Sequence, residues 1–77
     1  MSSGLNILKL NCGEPATILS YSNGFIASKL MAMGLLPGST VELVRRSPFG
    51  NTLYVRSGNH QVALRDNEAS TIIVAKV

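Results

Sequence analysis

Hydrophobic and polar residues alternate along most of the chain, in short runs that are separated by turn-forming Gly, Pro and Asn residues. In residues 40–45, for example, Val41 and Leu43 share one face while Glu42 and Val44 share the other. That period is typical of a β-strand with one buried face. The same argument predicts about five or six short strands. The segments concerned are residues 5–10, 16–21, 40–45, 52–56, 60–64 and 71–77.

Tight turns join the strands of the second half of the chain. Pro48 and Gly50 mark a loop between two of the predicted strands, which we therefore expect to form an antiparallel hairpin. Gly58 tolerates the positive φ of a two-residue connection, so a second hairpin is expected to follow it. Alternation places Tyr54 and Arg56 on the outward face of the strand between these two turns.

One segment, at about residues 23–33, has the period of an α-helix instead. Ile26, Leu30 and Met33 are spaced to lie on one face of that helix. Phe25 adjoins the same apolar stripe, and we expect it to be buried as well. The spacing predicts a single helix that packs its stripe against the sheet.

Both ends of this helix carry sequence signals. Ser22 or Asn23 can accept hydrogen bonds from the first free backbone N–H groups. Gly34 suits the left-handed position that follows a helix, and Leu35 would then contact Leu30. The helix is therefore expected to begin near residue 23 and to end before Gly34.

Two further local signals follow in the chain. The pair Pro37 and Gly38 fits the centre of a type II turn, because Pro sets φ at the first position and Gly allows positive φ at the second. A short second helical turn is expected at residues 66–69. Asp66 would cap it, and Glu68 would lie in its first turn, where the helix dipole favours a negative charge.

Composition limits the architecture to one small domain. The chain has 77 residues, of which 45% are hydrophobic and 14% are charged, with a formal net charge of +3. We assign residues 1–77 to a single domain. This apolar content and modest charge exclude a disordered chain. The fold class is mainly β, and a sheet of this size avoids exposed edges best by closing into a small barrel.

The sequence also favours a cytoplasmic location. No apolar segment approaches the roughly 20 residues of a spanning helix, so we expect no direct insertion into a membrane. The first residues lack the basic and apolar regions of a secretory leader. Cys12 is the single cysteine, so the domain closes no internal disulfide, and a reducing compartment fits.

Catalytic groups are sparse, so we expect no enzyme. Cys12 and His60 are the one thiol and the one imidazole, and they lie on separate predicted turns without a third group to orient them. The spacing of the carboxylates pairs no two of them for acid–base chemistry; these are Glu14, Glu42, Asp66 and Glu68. No phosphate-binding or dinucleotide-binding glycine motif occurs.

Two binding functions remain as alternatives. His60, with nearby acids, could bind a transition metal ion, although no pair of residues has the spacing of a zinc site. The other interpretation of His60 is an exposed turn residue. Tyr54 beside Arg56 could bind nucleic acid by stacking and charge, or could be an ordinary cross-strand surface pair. Because the basic residues are dispersed, we expect no nucleic-acid partner.

Residues 33–41 read Met-Gly-Leu-Leu-Pro-Gly-Ser-Thr-Val, and this stretch resembles the FeoA family of bacterial ferrous-iron uptake. The residues of the family pattern are Leu30, Gly34, Leu35, Pro37, Gly38, Pro48, Gly50, Leu64, Arg65, Glu68 and Ala69. The resemblance covers about residues 8–77, and Lys29 departs from the Arg of many members. The same domain is similar to the C-terminal module of diphtheria-toxin-repressor-type metalloregulators.

The resemblance implies an SH3-like β-barrel that acts in the cytoplasm, at the inner face of the membrane through its partner. That partner would be FeoB, a permease with a cytosolic GTP-binding domain. Our hypothesis is a non-enzymatic accessory protein that binds this cytosolic part, supports or regulates Fe²⁺ transport and requires no cofactor. The alternatives are a module that binds Fe²⁺ or a similar metal ion directly, and a small nucleic-acid binder.

We expect four residues at the partner contact: Met31, Leu36, Tyr54 and Arg56. Met31 points away from the helical stripe and is an adaptable contact residue, while Leu36 has no evident place in the core. The other interpretation for each is ordinary exposed surface. The sequence leaves open whether the barrel forms a homodimer.

Overall fold

The computed structural model describes residues 4–77, so the first residues of the predicted domain 1–77 lie outside the described part. Its strands are β1 (Leu5–Asn6), β2 (Pro15–Tyr21), β3 (Thr40–Arg46), β4 (Thr52–Ser57), β5 (His60–Arg65) and β6 (Ile72–Lys76). Its α-helices are α1 (Gly24–Ala32) and the single turn α2 (Asp66–Ala69). The predicted mainly β fold with one inserted helix is confirmed.

The strands form one six-stranded sheet in the order β1-β6-β2-β3-β4-β5. All of its pairs are antiparallel. β3, β4 and β5 are joined by the two predicted hairpins, and Gly50 and Gly58 have positive φ in their turns. β6 lies between β1 and β2, so the C-terminal strand holds the N-terminal segments in the sheet.

The core consists of the inward residues of every long strand together with one face of α1. Its members are Ile7, Leu10, Ala16, Ile18, Leu30, Leu35, Val41, Leu43, Leu53, Val55, Leu64, Ala69, Ile72 and Val74. Ile26, Met33 and Val62 are half-buried and pack against it. The predicted helical stripe and the inward faces of β3, β4 and β5 are thus confirmed for these residues.

The predicted strand at residues 5–10 is wrong from residue 7 onward. Only Leu5–Asn6 pair with β6, and Ile7–Lys9 form a 3-10 turn. The Asn6 side chain accepts a hydrogen bond from the backbone N–H of Leu8 at 2.9 Å, which turns the chain out of the strand. The turn buries Ile7 and Leu10 under the sheet.

The predicted burial of Phe25 is also wrong, because its side chain is 92% exposed. Successive residues of an α-helix differ by about 100°, and Phe25 therefore lies well to one side of the face that carries Ile26 and Leu30. Ala27, on the opposite side, is buried instead. α1 thus presents a large aromatic side chain to solvent at its first turn.

The second helical turn exists, but Asp66 does not cap it. Arg65 occupies the N-cap position, and Asp66 is the first helical residue. The backbone N–H of Arg65 donates to Glu68 Oε1 at 3.0 Å. A carboxylate from within the helical turn thus provides the hydrogen-bond acceptor for the N-cap residue. Glu68 lies in the first turn of α2 as predicted, and its side chain is buried there.

The regular alternation predicted for residues 40–45 is interrupted in β3. Leu43 pairs with Val55, whereas Arg45 pairs with Tyr54, so one extra residue, Val44, lies between them. Such a bulge reverses the direction of the side chains that follow it. Arg45 consequently lies on the outward face with Tyr54, instead of on the inward face with Leu43.

Candidate partner-binding surfaces

The first turn of α1 is fixed by a side-chain cap. Asn23 Oδ1 accepts hydrogen bonds from the backbone N–H groups of Phe25, at 3.0 Å, and Ile26, at 3.2 Å. Of the two predicted caps, Asn23 is therefore the one used. Because the backbone is held in this way, the exposed Phe25 side chain projects from an ordered helix start rather than from a loop.

A mostly apolar groove of about 420 Å³ lies between α1 and α2. Its lining residues are Phe25, Ile26, Ser28, Lys29, Asn67 and Glu68. We call it the α1–α2 groove. Phe25 forms one lip and is the most exposed large apolar side chain of residues 4–77, so the groove combines a recess with a projecting aromatic ring.

An ion pair joins the two walls of the groove. Lys29 Nζ donates to Glu68 Oε2, while the other carboxylate oxygen of Glu68 accepts the N–H of Arg65. These hydrogen bonds, with that of Lys29 the stronger influence, hold the pKa of Glu68 below its ordinary value of 4.5. The charged form of the carboxylate is therefore favoured, and in that form it joins α2 to α1 through Lys29.

The end of α1 forms a second candidate surface, around Met31 and Leu36. Gly34, at φ +91°, follows the helix, and the N–H of Leu35 donates to the carbonyl of Leu30 at 3.1 Å. This is the predicted Gly-capped end, with Leu30 and Leu35 both buried. Met31 is 39% exposed and Leu36 is 48% exposed.

The segment after the helix is anchored from two sides. The Tyr21 hydroxyl donates a hydrogen bond to the Leu35 carbonyl. Gly38 has φ +88°, and the N–H of Ser39 donates to the Leu36 carbonyl at 3.0 Å, which confirms the predicted type II turn. Leu36 is thus exposed on a rigid turn, as a contact residue should be.

His60 lies beside this segment. A Cβ atom at Gly34 would come within 3.1 Å of His60 Nε2, so the imidazole packs against the end of α1. Within residues 4–77 no group of three or more His, Cys, Asp or Glu side chains is positioned to hold a metal ion. Metal binding by His60 stays a prediction, and the geometry adds no further ligand to it.

The thiol and two further carboxylates are also candidates for chemistry. Cys12 is exposed in the turn before β2, on a different element from His60. Glu14 and Glu42 face cations: Lys76 Nζ lies 3.2 Å from Glu14, and Arg56 Nη2 lies 2.8 Å from Glu42. Like Glu68, they serve as ion-pair partners.

Tyr54 and Arg56 face outward from β4 as predicted, but each has another neighbour. Arg56 forms its ion pair with Glu42 on β3. The guanidinium of Arg45 lies 4.4 Å from the centroid of the Tyr54 ring and covers one face of it. Sequence reasoning missed both Phe25 and Arg45. The off-stripe position of Phe25 was a readable signal, whereas the bulge at Val44 was not.

These features define a class of protein: a small SH3-like, barrel-like β domain with an inserted helix and exposed apolar and basic surfaces. A FeoA-like protein from Clostridium acetobutylicum has this fold, with a TM-score of 0.90 and 20% identity over 100% of this chain and 91% of its own. A manganese-dependent transcriptional repressor shares it too, at a TM-score of 0.89 and 16% identity, over 100% of this chain and 44% of its own. The predicted structural similarity to repressor modules is confirmed.

The FeoA domain family matches residues 5–76, and the chain belongs to that family. The iron(II) transport protein A of Clostridium thermocellum is 34% identical, with a TM-score of 0.87, over 95% of this chain and 46% of its own. No curated protein sequence matches significantly. Membership of the family implies a role in ferrous iron transport. In residues 4–77, no helix has the length and apolar character needed to cross a bilayer.

Proposed function

We propose that this chain is a non-enzymatic, cytoplasmic accessory protein that binds the cytosolic part of a FeoB-type permease and thereby supports or regulates Fe²⁺ transport. The family match over residues 5–76 supports the connection with ferrous iron. The surface of the domain supports the protein–protein contact. No cofactor is required for such a role.

The observation that carries the proposal is the position of Phe25. Its ring is 92% exposed at the lip of the α1–α2 groove, on a helix start that is fixed by Asn23. Exposed aromatic side chains on rigid elements are the usual anchors of protein interfaces, because they bury a large apolar area at little cost in conformational entropy. Phe25 would insert into the permease, and the groove beside it would accept an apolar side chain in return.

Two charged groups limit what the groove can accept. The Lys29 side chain is 63% exposed at its edge, whereas Glu68 is almost covered. The accessible charge is therefore positive, and a partner segment that presents an apolar residue next to an acidic one would fit best. Met31 and Leu36, at the other end of α1, form a second proposed contact, separate from Phe25.

Titration of the full chain with the purified cytosolic region of the permease tests this proposal. It should be done without nucleotide, with GDP and with a non-hydrolysable GTP analogue. Phe25→Ser is expected to weaken binding by about tenfold or more, as for a truncated interface anchor. Phe49→Ser is the matched control, because Phe49 is 89% exposed in the β3–β4 loop and does not line the groove.

The outcomes are distinct. Binding that is weakened by Phe25→Ser and unchanged by Phe49→Ser supports the proposed anchor. Equal binding by both variants and the unsubstituted chain would move the contact to another surface. Absence of binding in every nucleotide state would overturn the proposed function itself.

A further inference from the structure

The outward face of β3, β4 and β5 gathers much of the basic charge of the described chain. Strand register places the outward side chains in three rows across these strands. The first row is Glu42, Arg56 and Gln61, the second is Arg45, Tyr54 and Ala63, and the third contains Thr52 and Arg65. We call Arg45, Tyr54, Arg56, Ala63 and Arg65 the arginine face. Tyr54 lies at its centre, and each of the three strands contributes one arginine: Arg45 from β3, Arg56 from β4 and Arg65 from β5.

The bulge at Val44 creates this face. In regular alternation Arg45 would point inward with Leu43, but the register shift pairs it with Tyr54 on the outward side. The next residue, Arg46, points the other way and donates to the carbonyls of Leu8, at 2.8 Å, and Leu10, at 2.6 Å. One arginine of the doublet is thus structural, and the other is presented to solvent.

The charge of the face is only partly neutralised. Arg56 is paired with Glu42, the one acid among the outward residues of these rows. Within residues 4–77, neither Arg45 nor Arg65 has a carboxylate at ion-pair distance. Arg65 instead lines an open, polar cleft of about 500 Å³ together with Asn51, Thr52, Asp66 and Asn67. The guanidinium groups of Arg45 and Arg65 are therefore open to an anionic partner, with Asp66 beside Arg65 in the cleft and Glu68 close enough to interact with its charge.

The arrangement favours carboxylates over nucleic acid. Base stacking requires an open aromatic face, and Arg45 covers one face of Tyr54. The guanidinium group binds carboxylates through two parallel hydrogen bonds, and a sheet holds its position better than a loop does.

We propose that the arginine face binds an acidic, Asp- or Glu-rich segment of the partner protein, with Arg45 and Arg65 as the carboxylate-binding residues. This inference rests on the proposed function, because it assigns the chemistry of the permease segment that is recognised. Arg56 acts as a positioning residue, since Glu42 already occupies its guanidinium. The acidic segment and the apolar anchor at Phe25 are separate contacts of the same partner.

Charge reversal at matched positions tests the inference. Arg45→Glu and Arg65→Glu each change the net charge as much as Lys9→Glu does, and Lys9 is exposed on the 3-10 turn, outside the face. Titration with the cytosolic region of the permease should show binding about tenfold weaker for each arginine variant and within about twofold for Lys9→Glu. The affinity of the unsubstituted chain should fall with added salt, and by less in the arginine variants.

A second titration uses a decaglutamate peptide and a single-stranded DNA decamer, with amide chemical shifts as the readout. Shifts on β3–β5 with the peptide, and weaker binding of the DNA, are expected. Equal effects of all three charge reversals, or tighter binding of the DNA, would overturn the inference. If the permease region fails to bind at all while the peptide still shifts β3–β5, the proposed function fails and the carboxylate specificity of the face stands.

Discussion

The guanidinium of Arg45 lies 4.4 Å above the ring centroid of Tyr54, and the two residues are direct cross-strand neighbours in β3 and β4. The contact joins the bulged part of β3 to β4 on the outward face. A cation over an aromatic ring at an exposed site stabilises a protein by about 0.5–1 kcal/mol. A double-mutant cycle with Arg45→Ala and Tyr54→Ala should therefore give a coupling free energy of this size in urea unfolding. Additive effects would show that the contact contributes nothing.

The end of α1 should tolerate no side chain at Gly34. Its φ of +91° disfavours any Cβ by about 1–2 kcal/mol, and the added atom would also press on His60 Nε2. Gly38 is the matched control, since its φ is +88° but a Cβ there meets open space. Unfolding free energies should fall by about 1 kcal/mol more for Gly34→Ala than for Gly38→Ala. Adding His60→Ala to Gly34→Ala should remove that excess, and an unchanged excess would contradict the contact.

The hydroxyl of Tyr21 should stabilise the segment that follows α1. It donates to the Leu35 carbonyl, and burial raises the pKa of this half-buried side chain. Tyr21→Phe leaves the carbonyl without that donor and should lower the free energy of unfolding by about 1 kcal/mol. Tyr54→Phe is the control, because its hydroxyl makes no hydrogen bond within the described residues. Equal stability of the two variants would argue against the Tyr21 bond.

Glu68 should make stability depend on acid pH. Lys29, then the Arg65 N–H, holds its folded-state pKa below 4.5, whereas unfolding restores the ordinary pKa. The contribution is fully present above pH 4.5 and is lost as pH falls through the lowered folded-state pKa. Glu68→Gln should lower stability at pH 7 by about 1 kcal/mol and flatten the acid dependence. Urea unfolding between pH 7 and pH 3 measures both effects.

Glu14 provides the comparison for this prediction. A hydrogen bond from the Asn11 backbone, and then Lys76, lowers its pKa as well, so it adds to the acid dependence with the same sign. It lies on the turn before β2, where it accepts from the Asn11 N–H and pairs with Lys76. Glu14→Gln should leave the α1–α2 groove unchanged. If only Glu68→Gln weakens partner binding as well as stability, the Lys29–Glu68 pair maintains the groove.

Much of the fold could be predicted because its signals are local. The Gly34 cap, the Pro37-Gly38 turn and the inward faces of β4 and β5 each depend on residues adjacent in the sequence. The predicted strand at residues 5–10 was wrong for a local reason too. The Asn6 side chain takes the backbone N–H of Leu8, which a strand would offer to its neighbour in the sheet. The predicted burial of Phe25 was wrong because residues adjacent in the sequence differ by about 100° around a helix and so need not share a face.

The candidate surfaces were less accessible to sequence reasoning. Met31 and Leu36 are exposed as expected, and Tyr54 and Arg56 face outward, although their contact with a partner stays a prediction. The α1–α2 groove depends on Lys29 meeting Glu68, which lies 39 positions away in the chain. No periodicity connects two residues at such a separation, so the groove could be found only after the helices were placed.

Apart from residues 7–10, the sequence by itself determined which segments are strands and helix, which faces of most of them are apolar, and where most turns lie. These features depend on neighbouring residues and their backbone preferences. Tertiary structure alone decided the outward direction of Arg45 and the pairing of Lys29 with Glu68. Both follow from register and helix placement, where one inserted residue reverses a side chain. The charge of +3, dispersed in the sequence, is therefore in part gathered on one face of the folded domain.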